Sequence, residues 1–266
     1  MGLFARVGAL VTKRQVLWTL VKRDLRVRYA RSWLGYLWTI LDPLAMSGIY
    51  FLVFVHIFRK GDIGHAPYFL FLVIGLLTWQ WFSAAITDTT RALLQEARLV
   101  RSTNLPREIW VVRVVIAKAI EYALSLPVLA LFVVGYAVQG SVALNARLLL
   151  FPVGVLLLFL FLIGAGLLLA PVTALVTDTQ RVVRIALRMF FYGTPIIYAL
   201  DRVPSNFETI LWLNPLTGIL ELQRAGFFDA PVAWGAVGVG AAATLLTLAV
   251  GWRTFVRLER AVLKEI

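Results

Sequence analysis

The 266-residue chain is 61% hydrophobic and 15% charged, with a mean hydropathy of +0.84. Soluble domains carry roughly 25% charge, so this balance excludes an ordinary soluble fold and predicts an integral membrane protein. A net charge of +12 would suggest nucleic acid in a soluble protein, but in a membrane protein it follows from basic residues gathering in cytoplasmic loops, and no nucleic-acid partner is implied. With no cysteine and only His56 and His65, disulfides, a Cys nucleophile and a His-rich metal site are excluded.

Residues 1–31 hold eight Lys/Arg that interrupt any apolar core of a secretory signal. Val7, Val11, Trp18, Val21, Leu25 and Tyr29 share one helical face, with Lys13, Arg23 and Arg26 off it and Arg14 and Lys22 at its edge. This spacing predicts an amphipathic helix in the inner headgroup layer. The alternative is a basic segment that only sets orientation. Spans follow at 33–58 and 68–90.

Between them and a third span at 110–137 lies the charged stretch NLPREIW, residues 104–110. Pro106 disfavours the helical region at Leu105 and suits a first helical turn, so Asn104 is expected to cap the third span. Glu108 would sit in that first turn, where the helix dipole favours it. The preceding residues 95–102 predict a short helix outside the membrane.

Within the third span, Lys118 and Glu121 share a face. They read either as a functional intramembrane pair or, more simply, as a structural one. Asp88 and Asp178, near the ends of the second and fourth spans, are expected to cap or position backbone. A fourth span is expected at 148–176, a short fifth at 184–200 carrying Pro195, and a sixth at 231–252.

The segments 207–213 and 216–220 are apolar but too short to cross ~30 Å at 1.5 Å per residue, and Asn214-Pro215 divides them. They predict a re-entrant outer hairpin within 201–230, tolerated where protein or a cavity receives it. Twenty Lys/Arg then fall on one side and five on the other, which puts both termini and NLPREIW in the cytoplasm. No linker divides the chain, so 1–266 reads as one all-α transmembrane domain of six helices.

Several of these stretches resemble the ABC-2-type export permeases, the membrane subunits that export O-antigen, capsular polysaccharide, teichoic acid and galactan precursors. They are RDLRVRY (23–29), SWLGYLW (32–38), DPL (42–44), PREI (106–109), TPIIY (194–198) and LNPL (213–216), all in the family's order. The resemblance implies a homodimer in the bacterial cytoplasmic (inner) membrane, with each subunit docked on a separate nucleotide-binding ATPase subunit, two copies in all. It also implies an undecaprenyl-linked glycan or polyol-phosphate polymer as cargo. ATP and Mg would reside on the partner, with no cofactor on this chain. In agreement, the sequence lacks Gly-x-x-x-x-Gly-Lys-Ser/Thr and contains no Gly-Lys pair.

The resemblance makes 95–102 the ATPase-coupling helix, with Glu96, Arg98, Leu99, Arg101 and Ser102 as its contact residues. Without it, those arginines are an ordinary positive-inside loop. It places a lateral opening between spans one and five, which assigns Trp33, Tyr36, Tyr192 and Tyr198 to the substrate path. The competing reading is an interfacial aromatic belt, which suits Trp33, Trp110 and Trp252. Glu221 either lines the exit or faces water.

Three rival functions are weaker. A membrane-embedded glycan transferase would need clustered acids or a metal site near one face, and the acids here are scattered. A secondary transporter would carry ionisable residues deep in several spans or show inverted repeats. A drug- or lipid-efflux permease of the same family would resemble this chain less in the SWLG and PREI stretches.

Overall fold

The computed structural model describes residues 3–30, 32–58, 64–142, 145–228 and 230–266. Expectations placed on Arg31, Arg59 and Lys60, and on the side chains of Val7 and Tyr29, lie outside the described residues. Every element among them is helical. In chain order these are α1 (Leu3–Thr12), α2 (Arg14–Tyr29), α3 (Trp38–Phe51), α4 (Tyr68–Thr90), α5 (Ala97–Ser102), α6 (Ile109–Val138), α7 (Leu150–Leu175), α8 (Thr179–Tyr192), α9 (Ser205–Trp212), α10 (Pro215–Arg224) and α11 (Trp234–Glu265). A 3₁₀ turn (Gly35–Leu37) leads into α3 and a π-helical turn (Leu52–Ile57) follows it.

Five helical stretches among the described residues are long and apolar enough to cross a membrane: Gly35–Ile57, Tyr68–Thr90, Ile109–Val138, Ala146–Leu175 and Trp234–Glu265. They match the expected first four spans and the last. The last runs further than 252 because Phe255 and Val262 are still buried beyond the apolar window.

The fifth expected span, 184–200, is not one helix. α8 starts at Thr179 and stops before Gly193, and 193–199 turn. Pro195 is the cause: it lacks an N–H and disfavours helix at Thr194. The carbonyls that the break would orphan are collected by side chains. Asn214 Nδ2 donates to Gly193 O at 2.9 Å, Arg224 donates to Pro195 O and to Ile196 O (2.8 Å), and the Tyr68 hydroxyl donates to Ile197 O at 2.9 Å. Irregular backbone at membrane depth survives only with such internal partners.

α4 is the central helix, with 72% of its apolar window buried, whereas α3 buries only 11%. The first span therefore keeps a long face free of this chain. α7 and α11 pack closest. A Cβ on Gly164 would lie 2.6 Å from the Leu248 nitrogen, and one on Gly251 would strike the Gly164 carbonyl. Small residues let two membrane helices approach in this way.

α9 and α10 form as expected on either side of Asn214-Pro215. Asn214 Oδ1 caps α10 by accepting the Leu216 N–H at 3.0 Å, with Pro215 in the first turn. α10 buries against α7 and α11, where Gly218 meets the Ala236 backbone.

The N-terminal segment is two helices joined at Lys13, and its expected apolar face is split. Val11 and Trp18 are exposed, whereas Val21 is fully buried. The reason is that Asp24 and Arg28, three and seven residues after Val21, turn the same side of α2 toward partners on α4 and α6, while Arg23 reaches Glu96 before α5.

Candidate functional site

The charged side chains of α2, α4 and α6 meet at the end of the bundle that carries α5. Arg23 pairs with Glu96 and with Asp24 (3.2 Å), and Asp24 in turn pairs with Arg113. Arg113 also lies 3.4 Å from Glu96. One helical turn deeper, Arg28 pairs with Asp88 and, at 3.3 Å, with Glu121. Lys118 lies 3.2 Å from Asp88 and 2.9 Å from Glu121. Four cations thus face four carboxylates around a cavity of about 560 Å³.

Such a site is not an anion basin, because its own acids neutralise it. Chemically it is a ladder of exchangeable ion pairs that fastens α2 and the start of α5 to α4 and α6. A second cavity of about 270 Å³ continues from Arg28, Lys118 and Glu121 between α3, α4 and α6, past Asp42, Gln80 and Ser125. Its wall includes the Trp81 and Tyr122 rings, stacked at 4.6 Å. A polar route therefore leads from the charged end toward the loosely packed first span.

A third set of pairs ties α1 to the same end. Arg6 bridges Glu108 at 2.7 Å and Glu259 of α11 at 2.8 Å. Burial works against the charge of Arg6 and of Arg23, but the carboxylates they hydrogen-bond outweigh it and hold both guanidinium pKa values above the ordinary one. Through Arg6 the first and last helices meet at one end of the bundle.

The NLPREIW stretch departs from its expected geometry. α6 starts at Ile109 without a side-chain cap, and Asn104 is exposed and caps nothing. Pro106 instead opens a tight turn whose carbonyl accepts the Ile109 N–H at 3.1 Å, so backbone meets the need that Asn104 was expected to meet. Arg107 folds back to donate to the Thr103 carbonyl at 2.7 Å. Glu108 does more than sit at a helix start: it is buried against Arg6. Trp110 is buried as well, not interfacial.

α5 forms within the expected 95–102, as Ala97–Ser102. Val100 anchors it in the core, and Arg98, Leu99, Arg101 and Ser102 face outward. Glu96 turns the other way, into the ion-pair ladder. Lys118 and Glu121 form an ion pair, extended by Asp88 and Arg28. Asp88 is an ion-pair partner, not a cap, and Asp178 makes no side-chain cap at α8.

The four aromatics expected along a substrate path fall into two pairs. Trp33, 98% exposed, and Tyr36 sit before α3. Tyr192 ends α8, and its carbonyl accepts the Tyr198 hydroxyl at 3.0 Å. About 21 Å of helix separates Tyr36 from Tyr50, whose ring stacks on Phe191 of α8 at 6.2 Å. Glu221 is turned toward α11, where it accepts the Ala233 N–H at 3.4 Å.

Sequence reasoning missed Asp24, Arg113, Arg6, Glu259 and Arg224. Arg113 lies two turns before Glu121 on the same side of α6, which was a readable signal for Arg113. Arg224 offered none. It reads as a loop cation yet is buried, with its guanidinium 3.5 Å from the centre of the Phe71 ring.

Residues 15–228 match the ABC-2 type transporter family. The chain is 27% identical over 240 residues to the O-antigen export system permease protein RfbA of Klebsiella pneumoniae, covering 90% of each chain. It is 30% identical over 225 residues to the protein of that name from Myxococcus xanthus, covering 84% of each. It is also 26% identical over 243 residues to the polysialic acid transport protein KpsM of Escherichia coli, covering 91% of this chain and 92% of KpsM.

Proposed function

The chain belongs to the ABC-2 type transporter membrane family, and from that premise we propose that it is the permease subunit of an ATP-driven exporter of a lipid-linked cell-surface polysaccharide. The observation that carries the reading is its similarity, over nine-tenths of its length, to permeases named for O-antigen export and polysialic acid transport. The geometry adds a cavity that runs from the charged end toward a first span of which only 11% of the apolar window is buried.

In this reading two copies form a homodimer in the bacterial inner membrane. Each docks on a separate cytoplasmic ATPase subunit, which holds ATP and Mg, and the polymer travels on an undecaprenyl anchor. The whole of 1–266 serves as one transmembrane domain with both termini in the cytoplasm. Support for that orientation comes from Arg6, which joins α1 to α11 at the α5 end, and from the surplus of Lys/Arg there.

The coupling role goes to α5. Arg98, Leu99, Arg101 and Ser102 face the ATPase, while Glu96 passes the motion to α2 and α6. α8 together with 193–199 serves as the fifth of six crossings. α9 and α10, about 12 and 15 Å long, form the outer re-entrant hairpin, since neither can cross ~30 Å. α1 and α2 lie at the inner interface. Trp33 and Tyr36 stand at the inner mouth of a lateral opening between α3 and α8, with Tyr192, Tyr198 and Glu221 toward the exit.

The test is co-expression with its cognate ATPase. The purified chain alone should hydrolyse no ATP, the pair should form a two-plus-two complex, and deleting the gene should strip the surface polysaccharide. Robust ATPase activity from the chain alone, a monomeric chain in the active complex, or an unchanged surface glycan would overturn the reading.

A further inference from the structure

Residues three and four apart share a face of a helix, and α8 divides into three such faces. Gln180, Val183, Leu187 and Phe191 turn inward: Val183 is buried, and the Phe191 ring lies 5.3 Å from Trp79. Val182, Ile185 and Met189 form an exposed apolar face. Between these two runs a stripe of Arg181, Arg184 and Arg188, all exposed. Among the described residues none of the three has a hydrogen-bonded, ionic or ring partner.

That stripe contrasts with the ladder on α2 and α6, where every cation has a carboxylate. Arginine on a membrane helix is costly when it faces lipid and is rarely left without a partner. The stripe climbs about 10 Å from Arg181 to Arg188. It begins beside Arg91, which donates to Gln180 at 3.2 Å, and ends one turn before Tyr192. The basic residues of α11 differ in position: Arg253, Arg257 and Arg260 lie past its apolar stretch, where interfacial cations are ordinary.

Two features of α8 select a ligand. All three cations are arginines, whose planar fork grips phosphate oxygens in pairs better than a lysine point charge. The neighbouring exposed face is apolar along the same length and offers a bed for a hydrocarbon chain. A molecule with phosphate at one end and a long hydrocarbon at the other matches both faces at once. We propose that the arginine stripe of α8 binds the phosphate or diphosphate group of the lipid-linked cargo, with its hydrocarbon chain lying over Val182, Ile185 and Met189. The proposal rests on the exporter reading above and names a binding site within it.

The experiment uses the complex with its ATPase in phosphatidylcholine nanodiscs and measures binding of undecaprenyl diphosphate against phosphatidylglycerol. The intact complex should prefer the diphosphate by about tenfold or more, as expected for added charge-assisted hydrogen bonds. Combining Arg181→Gln, Arg184→Gln and Arg188→Gln should weaken diphosphate binding by roughly a hundredfold. The three Lys replacements should recover part of that loss, and Arg253→Gln with Arg257→Gln should change nothing.

Assembly with the ATPase reports folding of each variant. If the triple Gln variant fails to assemble, the single variants are read in the same assay, each expected to lose several-fold. Equal binding of diphosphate and phosphatidylglycerol would reduce the stripe to ordinary headgroup contacts and overturn the proposal. So would undiminished diphosphate binding by the Gln variants. A gene deletion that leaves the surface glycan intact would instead overturn the exporter reading, whatever the binding result.

Discussion

At the end of the bundle that carries α5, cations meet carboxylates; at the other end, Arg224 hydrogen-bonds only backbone carbonyls, beneath the Phe71 ring. The first arrangement is plural. Arg23, Arg28, Arg113 and Lys118 share Asp24, Asp88, Glu96 and Glu121, several with two partners, and side chains such as Arg23 and Arg28 stay partly exposed. The partly exposed pairs of Arg23 and Arg28 are screened by salt and contribute little each, and buried Arg113 and Lys118 each have two carboxylates within reach. The second arrangement is singular. One buried guanidinium holds the Phe71, Pro195 and Ile196 carbonyls, and no other side chain of the described residues bonds those three. The difference suggests a division of labour: an end that can shift as ATPase subunits move, and an end that holds a broken helix fixed.

The comparison breaks most sharply at Arg224. Arg224→Met keeps much of the volume but leaves those carbonyls unsatisfied in the interior, at about 1–3 kcal/mol for each buried polar group left without a partner. The expected loss is about 3 kcal/mol or more, read as a fall in the thermal midpoint of the detergent-solubilised complex. A midpoint matching wild type would show that the turn at 193–199 does not depend on this clasp. Gly75→Ala should act on the same contact, since its Cβ would sit 2.5 Å from Arg224 Nη2 and 2.9 Å from Ile196 O.

Next in size is the α7–α11 seam. A Cβ at Gly251 meets the Gly164 carbonyl, which cannot retreat without moving α7. Gly251→Ala should cost about 1–3 kcal/mol as overpacking, whereas Gly238→Ala, with open space around it, should cost nothing measurable. If the two variants melt together, the seam is looser than its geometry.

What was legible beforehand follows the same line between long elements and specific contacts. Apolar runs located four spans to within about three residues at either end, because length and hydrophobicity act locally along a chain. Asn214-Pro215 announced its own turn for a similar reason. The fifth expected span is not one helix because Pro195 breaks it, and the carbonyls it frees are satisfied by Asn214, Arg224 and Tyr68 from other elements. Counting charges by loop put Arg113 and Arg224 with solvated cations, and both are buried. Spacing shows which residues share a face but not that α2 folds back onto α6. So Val21 was placed on an apolar face toward the membrane surface, whereas it is buried inside the chain.

The ion-pair ladder should give smaller effects that depend on salt. Glu96→Gln removes one carboxylate from Arg23 and Arg113, yet Asp24 remains for both. Its cost to stability should stay within about 1 kcal/mol. The loss should appear in coupling: ATPase activity that continues while export falls. A variant whose export and ATPase activity fall together, in step with its midpoint, would make Glu96 a structural residue only.

The smallest change in stability is expected on the outer side of α5. Arg98 and Arg101 face outward, while Val100 between them anchors the helix in the core. Exposed charges away from caps and cores usually alter stability by within about ±0.5 kcal/mol. Arg98→Glu and Arg101→Glu should therefore leave insertion and thermal midpoint near wild type. If these arginines meet the ATPase, reversal puts a repulsive charge at that interface. A rim position would then show slower, salt-sensitive association, and a desolvated pair would lose about 2–5 kcal/mol of binding. The measurement is capture of the ATPase at low and high salt, beside an export assay, for each variant. Raising the salt should narrow the gap to wild type at a rim position and leave it open at a desolvated one. Should both variants capture the ATPase and export as wild type does at either salt, α5 is not the coupling element, and its arginines serve only to orient the chain.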